Sequence, residues 1–223
     1  MNKKRAVVLL SGGLDSTTTL YWAKNEGYDC VCLIFNYHQK HKKEVQFAIK
    51  IANLTNCEYQ VIKFQLPWSG SALIDKNISI PQDRKTLSQE EIPPTYVPAR
   101  NTIFISFALS YAEAIGAETI FIGANALDYS GYPDCRPEYY TAFNKLVQLG
   151  TKSGAEGKQI KILTPLIDKS KAEIVKLGVK LNVPFELTWS CYKGGSKPCG
   201  RCDSCILRSK GFKEANLINN YQF

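Results

Sequence analysis

Two groups of residues in this chain have types and spacings that can do chemistry. The first is Ser11-Gly12-Gly13-Leu14-Asp15-Ser16, directly behind the apolar run Ala6 to Leu10. Between a strand and a helix, such a turn aims backbone N–H groups and the helix dipole at one point, which suits an anion such as phosphate. Gly12 and Gly13 let the backbone approach closely, and Ser11 and Ser16 offer hydroxyl donors. Asp15 can place a magnesium ion or order the loop. No Gly-Lys-Ser/Thr follows, so this is not a Walker loop. The competing reading is a tight turn with Asp15 and Ser16 as plain capping residues. The second group is Cys191, Cys199, Cys202 and Cys205, spaced C-x7-C-x2-C-x2-C with glycines at 194, 195 and 200 to allow tight turns. Four thiolates match a closed, structural zinc site with no position left for substrate. An iron–sulfur cluster or a redox cysteine pair are the alternatives.

Other candidates lie where strands should end. Arg100 stands at the start of a predicted helix, where it would meet phosphate or carboxylate; a solvated arginine is the plain alternative. In the polar loop Asp128 to Glu138, Asp128 or Asp134 can accept hydrogen bonds from a guanine-like N–H edge, and Tyr129 or Tyr132 can stack on the ring. Arg136 is available to a carboxylate, and a merely ordered surface loop is the competing reading. His38 and His41 are the only histidines, and they read either as surface residues or as nucleotide contacts.

These groups need a scaffold. Apolar runs at Ala6–Leu10, Cys30–Phe35, Tyr59–Phe64, Thr119–Ile122 and Ile160–Leu163 read as strands buried in a parallel sheet. Between them, helices are predicted from Asp15 to Gly27, over Glu44–Leu54, Asn101–Ile115 and Pro137–Leu149, and over Ser170–Leu177 behind a Ser170/Glu173 capping box. The alternation implies a doubly wound α/β sheet of five strands. Residues 65–98, with five prolines, read as a loop over the site. After about Pro184 the alternation stops. The expected domains are therefore 1–184, binding nucleotide, and 185–223, a small zinc-binding module packed on it.

Composition narrows the classes. Of 223 residues, 44% are hydrophobic and 22% charged, which excludes a disordered or collagen-like chain. A formal charge of +8 suits an anionic partner without choosing one. The basic start is followed by too short an apolar run for a signal peptide, and no stretch reaches the roughly 20 residues of a membrane span. Eight cysteines without an export signal point to reduced thiols, and hence to a soluble, cytoplasmic protein.

Ser-Gly-Gly-Leu-Asp-Ser resembles the signature of the PP-loop ATP pyrophosphatases, which cleave between the α and β phosphates. Asn36-Tyr37-His38-Gln39-Lys40-His41, Tyr96 to Asn101, Ser130 to Arg136, the cysteine spacing and Leu207-Arg208-Ser209-Lys210-Gly211 extend the resemblance nearly end to end. Together they resemble the 7-cyano-7-deazaguanine synthases, PP-loop ligases of queuosine biosynthesis. The resemblance implies an adenine nucleotide alpha hydrolase-like sheet with ATP held at Leu10, Ser11, Gly12, Gly13, Leu14, Asp15 and Ser16. It implies a lysine for the ATP phosphates from the Pro165-x5-Lys171 spacing, with Arg100 and Asp15 beside it. It further implies 7-carboxy-7-deazaguanine and ammonia as substrates, bound zinc, a magnesium requirement and a homodimer, with neither stable nucleic acid binding nor a membrane. Lys40 departs from the family pattern, which carries arginine there. A PP-loop tRNA-modifying enzyme, sulfurtransferase or lysidine-forming, is the main rival, although the chain lacks room for an added RNA-binding domain.

Overall fold

The computed structural model describes residues 3–40, 42–84, 91–127 and 131–217. Five parallel strands are hydrogen-bonded in the order β3-β2-β1-β4-β5. They are β1 (Arg5–Leu9), β2 (Asp29–Asn36), β3 (Tyr59–Lys63), β4 (Thr119–Phe121) and β5 (Lys161–Leu163). The helices are α1 (Leu14–Asn25), α2 (Lys43–Leu54), α3 (Arg100–Ile115), α4 (Pro137–Gly150), the single turn α5 (Lys152–Ala155), α6 (Lys171–Lys180) and α7 (Asp203–Glu214).

The period-two geometry of a strand explains how one apolar run serves two cores. In β1 and the residue after it, Ala6, Val8 and Leu10 face α1 and α2, packing with Leu20, Ala23, Ala48, Ile51 and Phe121. Val7 and Leu9 face the other way, toward Ile105, Ala108 and Ala112 of α3 and Phe143 and Val147 of α4. β1 is therefore covered on both faces, as its unbroken aliphatic sequence requires. It is also the strand from which the order departs in both directions, to β2 on one side and β4 on the other. In open α/β sheets the crevice at the carboxyl ends of such strands receives ligands.

Two features differ from the sequence expectation. Helix α6 does not stop at Leu177 but runs on through Gly178 to Lys180. A Cβ at Gly178 would lie 2.3 Å from Cζ of Phe185, so this glycine seats a ring rather than ending a helix. The cysteine-rich tail ends in a full helix, α7, whose Phe212 and Ala215 pack with Leu14, Ile174, Val175 and Phe185. The capping box at α6 is present, Glu173 N–H donating to Ser170 Oγ at 3.3 Å and Ser170 N–H to Glu173 Oε2 at 2.7 Å.

Residues 65–84 and 91–98 contain no helix or strand, but they are fastened. The Lys40 N–H donates to the Leu73 carbonyl at 3.0 Å, Ala72 to Pro94 at 2.7 Å and Asp83 to Arg201 at 2.9 Å.

Candidate functional site

A cavity of about 220 Å³ lies at the carboxyl ends of β1, β2 and β4. Its floor is the phosphate-type turn, which runs from β1 into the N-terminus of α1. The first N–H groups of a helix have no intrahelical acceptor, and they point out of this floor. Ser16 Oγ accepts from Ser11 N–H at 3.1 Å, donates to the Gly13 carbonyl at 3.3 Å and lies 2.9 Å from Ser11 Oγ. These bonds fold the turn back on itself. Gly12 takes φ +77, and a Cβ there would fall 2.5 Å from Ala48 N and 2.6 Å from the Glu44 carbonyl oxygen. Only glycine meets both conditions. Gly13 has φ −83, so its lack of a side chain leaves space rather than relieving strain.

Leu10, Ser11, Gly13, Leu14, Asp15 and Ser16 line the cavity, whereas Gly12 is turned into α2. Lys171, 7% exposed, reaches across from α6 and donates to both Asp15 carboxylate oxygens at 2.7 and 2.8 Å. That bidentate pair orders the loop. Its geometry depends on α7, since a Cβ at Gly211 would lie 2.3 Å from Lys171 Cγ.

Opposite the turn stands Arg100, the first residue of α3. Its Nη1 donates to the Tyr37 hydroxyl at 3.4 Å, its guanidinium carbon lies 5.8 Å from the Phe104 ring centroid, and its buried Nε has no hydrogen-bond acceptor among the described residues. Half-buried Glu44, in the first turn of α2, lines the same space. Burial pushes the Glu44 carboxyl up to about 7, with the Arg100 guanidinium pulling the other way. Tyr132 and Phe104 supply flat apolar wall. Tyr132 is held by a 2.7 Å hydroxyl contact with Thr95, and burial pushes its phenol up to about 12.

The structure therefore brings together the turn, Lys171, Arg100 and Tyr132. It does not bring Asp134 or Arg136 to the cavity. Asp134 is buried, and its carboxylate Oδ2 accepts the Asn101 N–H at 3.0 Å, so it caps α3 from the 3-10 turn Pro133–Cys135. Its carbonyl accepts from Asn101 Nδ2 and the Tyr140 hydroxyl, both at 3.0 Å. Arg136 is exposed at the start of α4. Asp128, Tyr129 and His41 lie outside the described residues, and His38 is exposed and does not line the cavity. No described residue of 65–98 lines it either, so that segment props the Tyr132 wall instead of covering the site.

The sequence reading missed Glu44, Trp189, Ser190, Ser204 and Arg208, all of which line the cavity. Glu44 carried a usable signal, an acidic residue opening the helix after the second strand. Arg208 stood in the Leu207–Gly211 motif without a cavity role, and Trp189, Ser190 and Ser204 carried no signal because they lie among the cysteines. Arg208, 3% exposed, donates to Thr188 Oγ1 at 2.7 Å, the Phe185 carbonyl at 2.8 Å and Ser190 Oγ at 3.3 Å. Burial pushes its guanidinium down to about 10.

Ligand atoms of Cys191, Cys199, Cys202 and Cys205 all lie within 4.8 Å of one another. Cys199 N–H donates to Cys191 Sγ and Cys202 N–H to Cys199 Sγ, each at 3.3 Å. Such donors stabilise thiolates, and three of the four side chains are buried, so the donor set fits a metal ion held by four sulfurs. The tail also touches the turn directly, Trp189 N–H donating to the Gly12 carbonyl at 2.8 Å.

A five-stranded parallel sheet with Ser-Gly-Gly-Leu-Asp-Ser behind its central strand defines a PP-loop nucleotide-binding protein. Within that class the family described as "Queuosine biosynthesis protein QueC" matches residues 5–216, and the chain belongs to it. The protein named 7-cyano-7-deazaguanine synthase from Nostoc punctiforme is 55% identical over 219 residues, covering 96% of this chain and 97% of the relative. A protein of the same name from Acetivibrio thermocellus is 55% identical over 221 residues, covering 99% and 98%. A third, from Thermoplasma volcanium, is 52% identical over 220 residues, covering 99% and 91%.

Proposed function

We propose that this protein is an ATP-dependent carbon–nitrogen ligase that converts 7-carboxy-7-deazaguanine and ammonia to 7-cyano-7-deazaguanine. One observation carries the reading: a single cavity joins an anion-accepting helix N-terminus to a half-buried arginine and a flat aromatic wall. The names of the relatives supply the substrate.

The chemistry follows from leaving groups. A carboxylate is a poor electrophile, so its oxygen first attacks the α phosphorus of ATP and pyrophosphate departs. Ammonia then displaces AMP and leaves an amide. The amide oxygen leaves no better, so it is adenylated in turn, and loss of AMP with the remaining N–H protons forms the nitrile. Both rounds place an oxygen nucleophile on the α phosphorus, so one site serves twice. In this reading the α1 N–H groups and Ser11, Gly13 and Ser16 hold the phosphates, while Lys171, steadied by Asp15, offsets the charge of the departing pyrophosphate. Magnesium on the phosphate oxygens would supply further charge neutralisation.

Arg100, which lines the cavity opposite the turn, is the cation that holds the substrate carboxylate. Tyr132 forms the ring-binding wall. With Asp134 committed to capping α3, Asp128 is the aspartate left to read the N–H edge, and exposed Arg136 lies outside the cavity lining. Cys191, Cys199, Cys202 and Cys205 would hold one zinc ion, which supplies folding free energy rather than catalysis. Residues 185–223 act as a zinc-binding module on the 1–184 nucleotide domain.

Among the described residues, no helix is long and apolar enough to cross a membrane. None of the eight cysteines is paired in a disulfide, which supports a cytoplasmic setting. Leu146 and Leu149 on α4, 52% and 89% exposed, offer apolar surface to a second copy in the proposed homodimer. Pyrophosphate–ATP exchange in the absence of ammonia tests the function. Exchange dependent on 7-carboxy-7-deazaguanine is expected, and exchange driven by bulk tRNA but not by the acid would overturn it.

A further inference from the structure

Two hydroxyls of the segment before the cysteines accept from one arginine, and their own hydrogens go to different places. Arg208, 3% exposed, donates from Nη1 to Thr188 Oγ1 at 2.7 Å and to Ser190 Oγ at 3.3 Å. Arginine carries donors only, so neither hydroxyl can return its hydrogen to it. Thr188 gives its hydrogen to the Phe185 carbonyl at 2.7 Å and does not line the cavity. Ser190 does line it, and among the described residues its Oγ makes only the Arg208 bond. The Ser190 hydrogen is therefore left for whatever occupies the cavity.

The serine is also held beside the phosphate-type turn. The preceding residue, Trp189, donates its N–H to the Gly12 carbonyl at 2.8 Å. Its own carbonyl oxygen lies 3.6 Å from the place that a Cβ on Gly13 would take. Trp189 Nε1 donates to the Cys191 carbonyl at 2.8 Å, which closes the backbone around Ser190. The indole is 5% exposed and its ring centroid lies 5.6 Å from that of Phe47 on α2. Ser190 is thus pinned through both of its chain neighbours, next to the residues that open α1.

We propose that Ser190 is a phosphate-binding residue, whose hydroxyl donates to the pyrophosphate portion of ATP at the N-terminus of α1. The proposal rests on the ligase reading given above and adds to it a donor supplied by the C-terminal tail.

The serines of the turn itself show why a further donor matters. Ser11 Oγ and Ser16 Oγ lie 2.9 Å apart, so at least one of their two hydrogens is spent within the turn. The hydrogen of Ser190 has no such commitment among the described residues. An oxygen that accepts from a cation is the stronger donor through its own hydrogen, so Arg208 behind Ser190 sharpens the contact. A donor fixed before the nucleotide arrives needs no reorganisation as negative charge builds on the departing pyrophosphate.

The test is calorimetric titration of magnesium pyrophosphate and, separately, of AMP into the full-length protein. A hydrogen bond to a charged oxygen predicts that Ser190→Ala binds pyrophosphate about tenfold or more weakly, with AMP affinity held to within about threefold. Thr188→Val removes the shorter Arg208 bond but no cavity hydroxyl, and it should keep pyrophosphate affinity to within about threefold. Ser190→Thr and Ser190→Val share one shape and differ in a hydroxyl against a methyl. The threonine variant should bind pyrophosphate about tenfold more tightly than the valine variant, a comparison that stands even if the added bulk perturbs both. Unchanged pyrophosphate affinity in Ser190→Ala, equal losses for pyrophosphate and AMP, an equal loss in Thr188→Val, or equal binding by the threonine and valine variants would overturn the assignment. Wild-type protein that binds pyrophosphate without acid-dependent pyrophosphate–ATP exchange would instead overturn the ligase reading and leave this contact standing.

Discussion

At the residue scale, two adjacent glycines in one turn have different tasks, and mutation should separate them. Gly12→Ala forces a Cβ to within 2.5 Å of the α2 backbone at φ +77, so it should cost roughly 1–2 kcal/mol of backbone strain and more from the clash. Gly13→Ala meets nothing closer than Ser11 Oγ at 3.4 Å, so the protein should fold normally while ATP binding weakens. Thermal melts read with ATP titrations distinguish the two. Asp134→Ala should lower stability by about 1 kcal/mol through loss of the α3 cap, and it should disturb substrate KM only through Arg100. Glu44 gives a pH-dependent prediction. Its folded pKa of about 7 lies above the ordinary 4.5, so its contribution to stability is full below that lower value and is lost as pH rises through about 7. Glu44→Gln cannot titrate. Its stability relative to wild type should therefore rise by roughly 3 kcal/mol between those limits, checked by urea midpoints across that range. The turn and the four cysteines were legible in the sequence because their chemistry is local. Asp134 was not, since an aspartate that caps a helix 33 residues away looks the same in sequence as one that reads a base.

At the scale of elements, the strands were legible to within a residue or two because each is a continuous apolar run, and the Ser170–Glu173 box marked α6 directly. The far end of α6 was not, because Gly178 mimics a stop signal and only the Phe185 ring beneath it explains its place. Helix α7 was hidden for a related reason. Its Gly211 reads as a breaker, yet it is the seat on which the Lys171 stem crosses. Gly211→Ala should therefore overpack that crossing at a cost of about 1–3 kcal/mol and move Lys171 off Asp15. The expected kinetic result is about a tenfold loss in kcat/KM for ATP, larger than that of an alanine placed at exposed Lys210 on the same helix. Equal effects at the two positions would show that Lys171 is not positioned by α7.

At the scale of the whole molecule, the cysteine tail and the nucleotide turn act as one structure. Trp189 bonds to Gly12, Ser190, Ser204 and Arg208 wall the cavity, and Arg208 ties α7 to the 185–190 segment. A metal held by four thiolates typically contributes on the order of 10 kcal/mol to folding of its own segment. Stripping it with a chelator should therefore abolish ATP binding and lower the melting temperature together; metal-free protein that keeps both would refute that coupling. The sequence reads the tail as a module packed on the domain but does not show which residues join them, because the Trp189–Gly12 contact spans more than 170 positions. In the proposed mechanism one cavity performs two adenylations in succession. The direct measurement is nucleotide consumed per nitrile formed, starting once from 7-carboxy-7-deazaguanine with ammonium and once from the synthetic amide. Two AMP and two pyrophosphate per nitrile are expected from the acid, and one of each from the amide. ADP as the product, or a single ATP per nitrile from the acid, would contradict it.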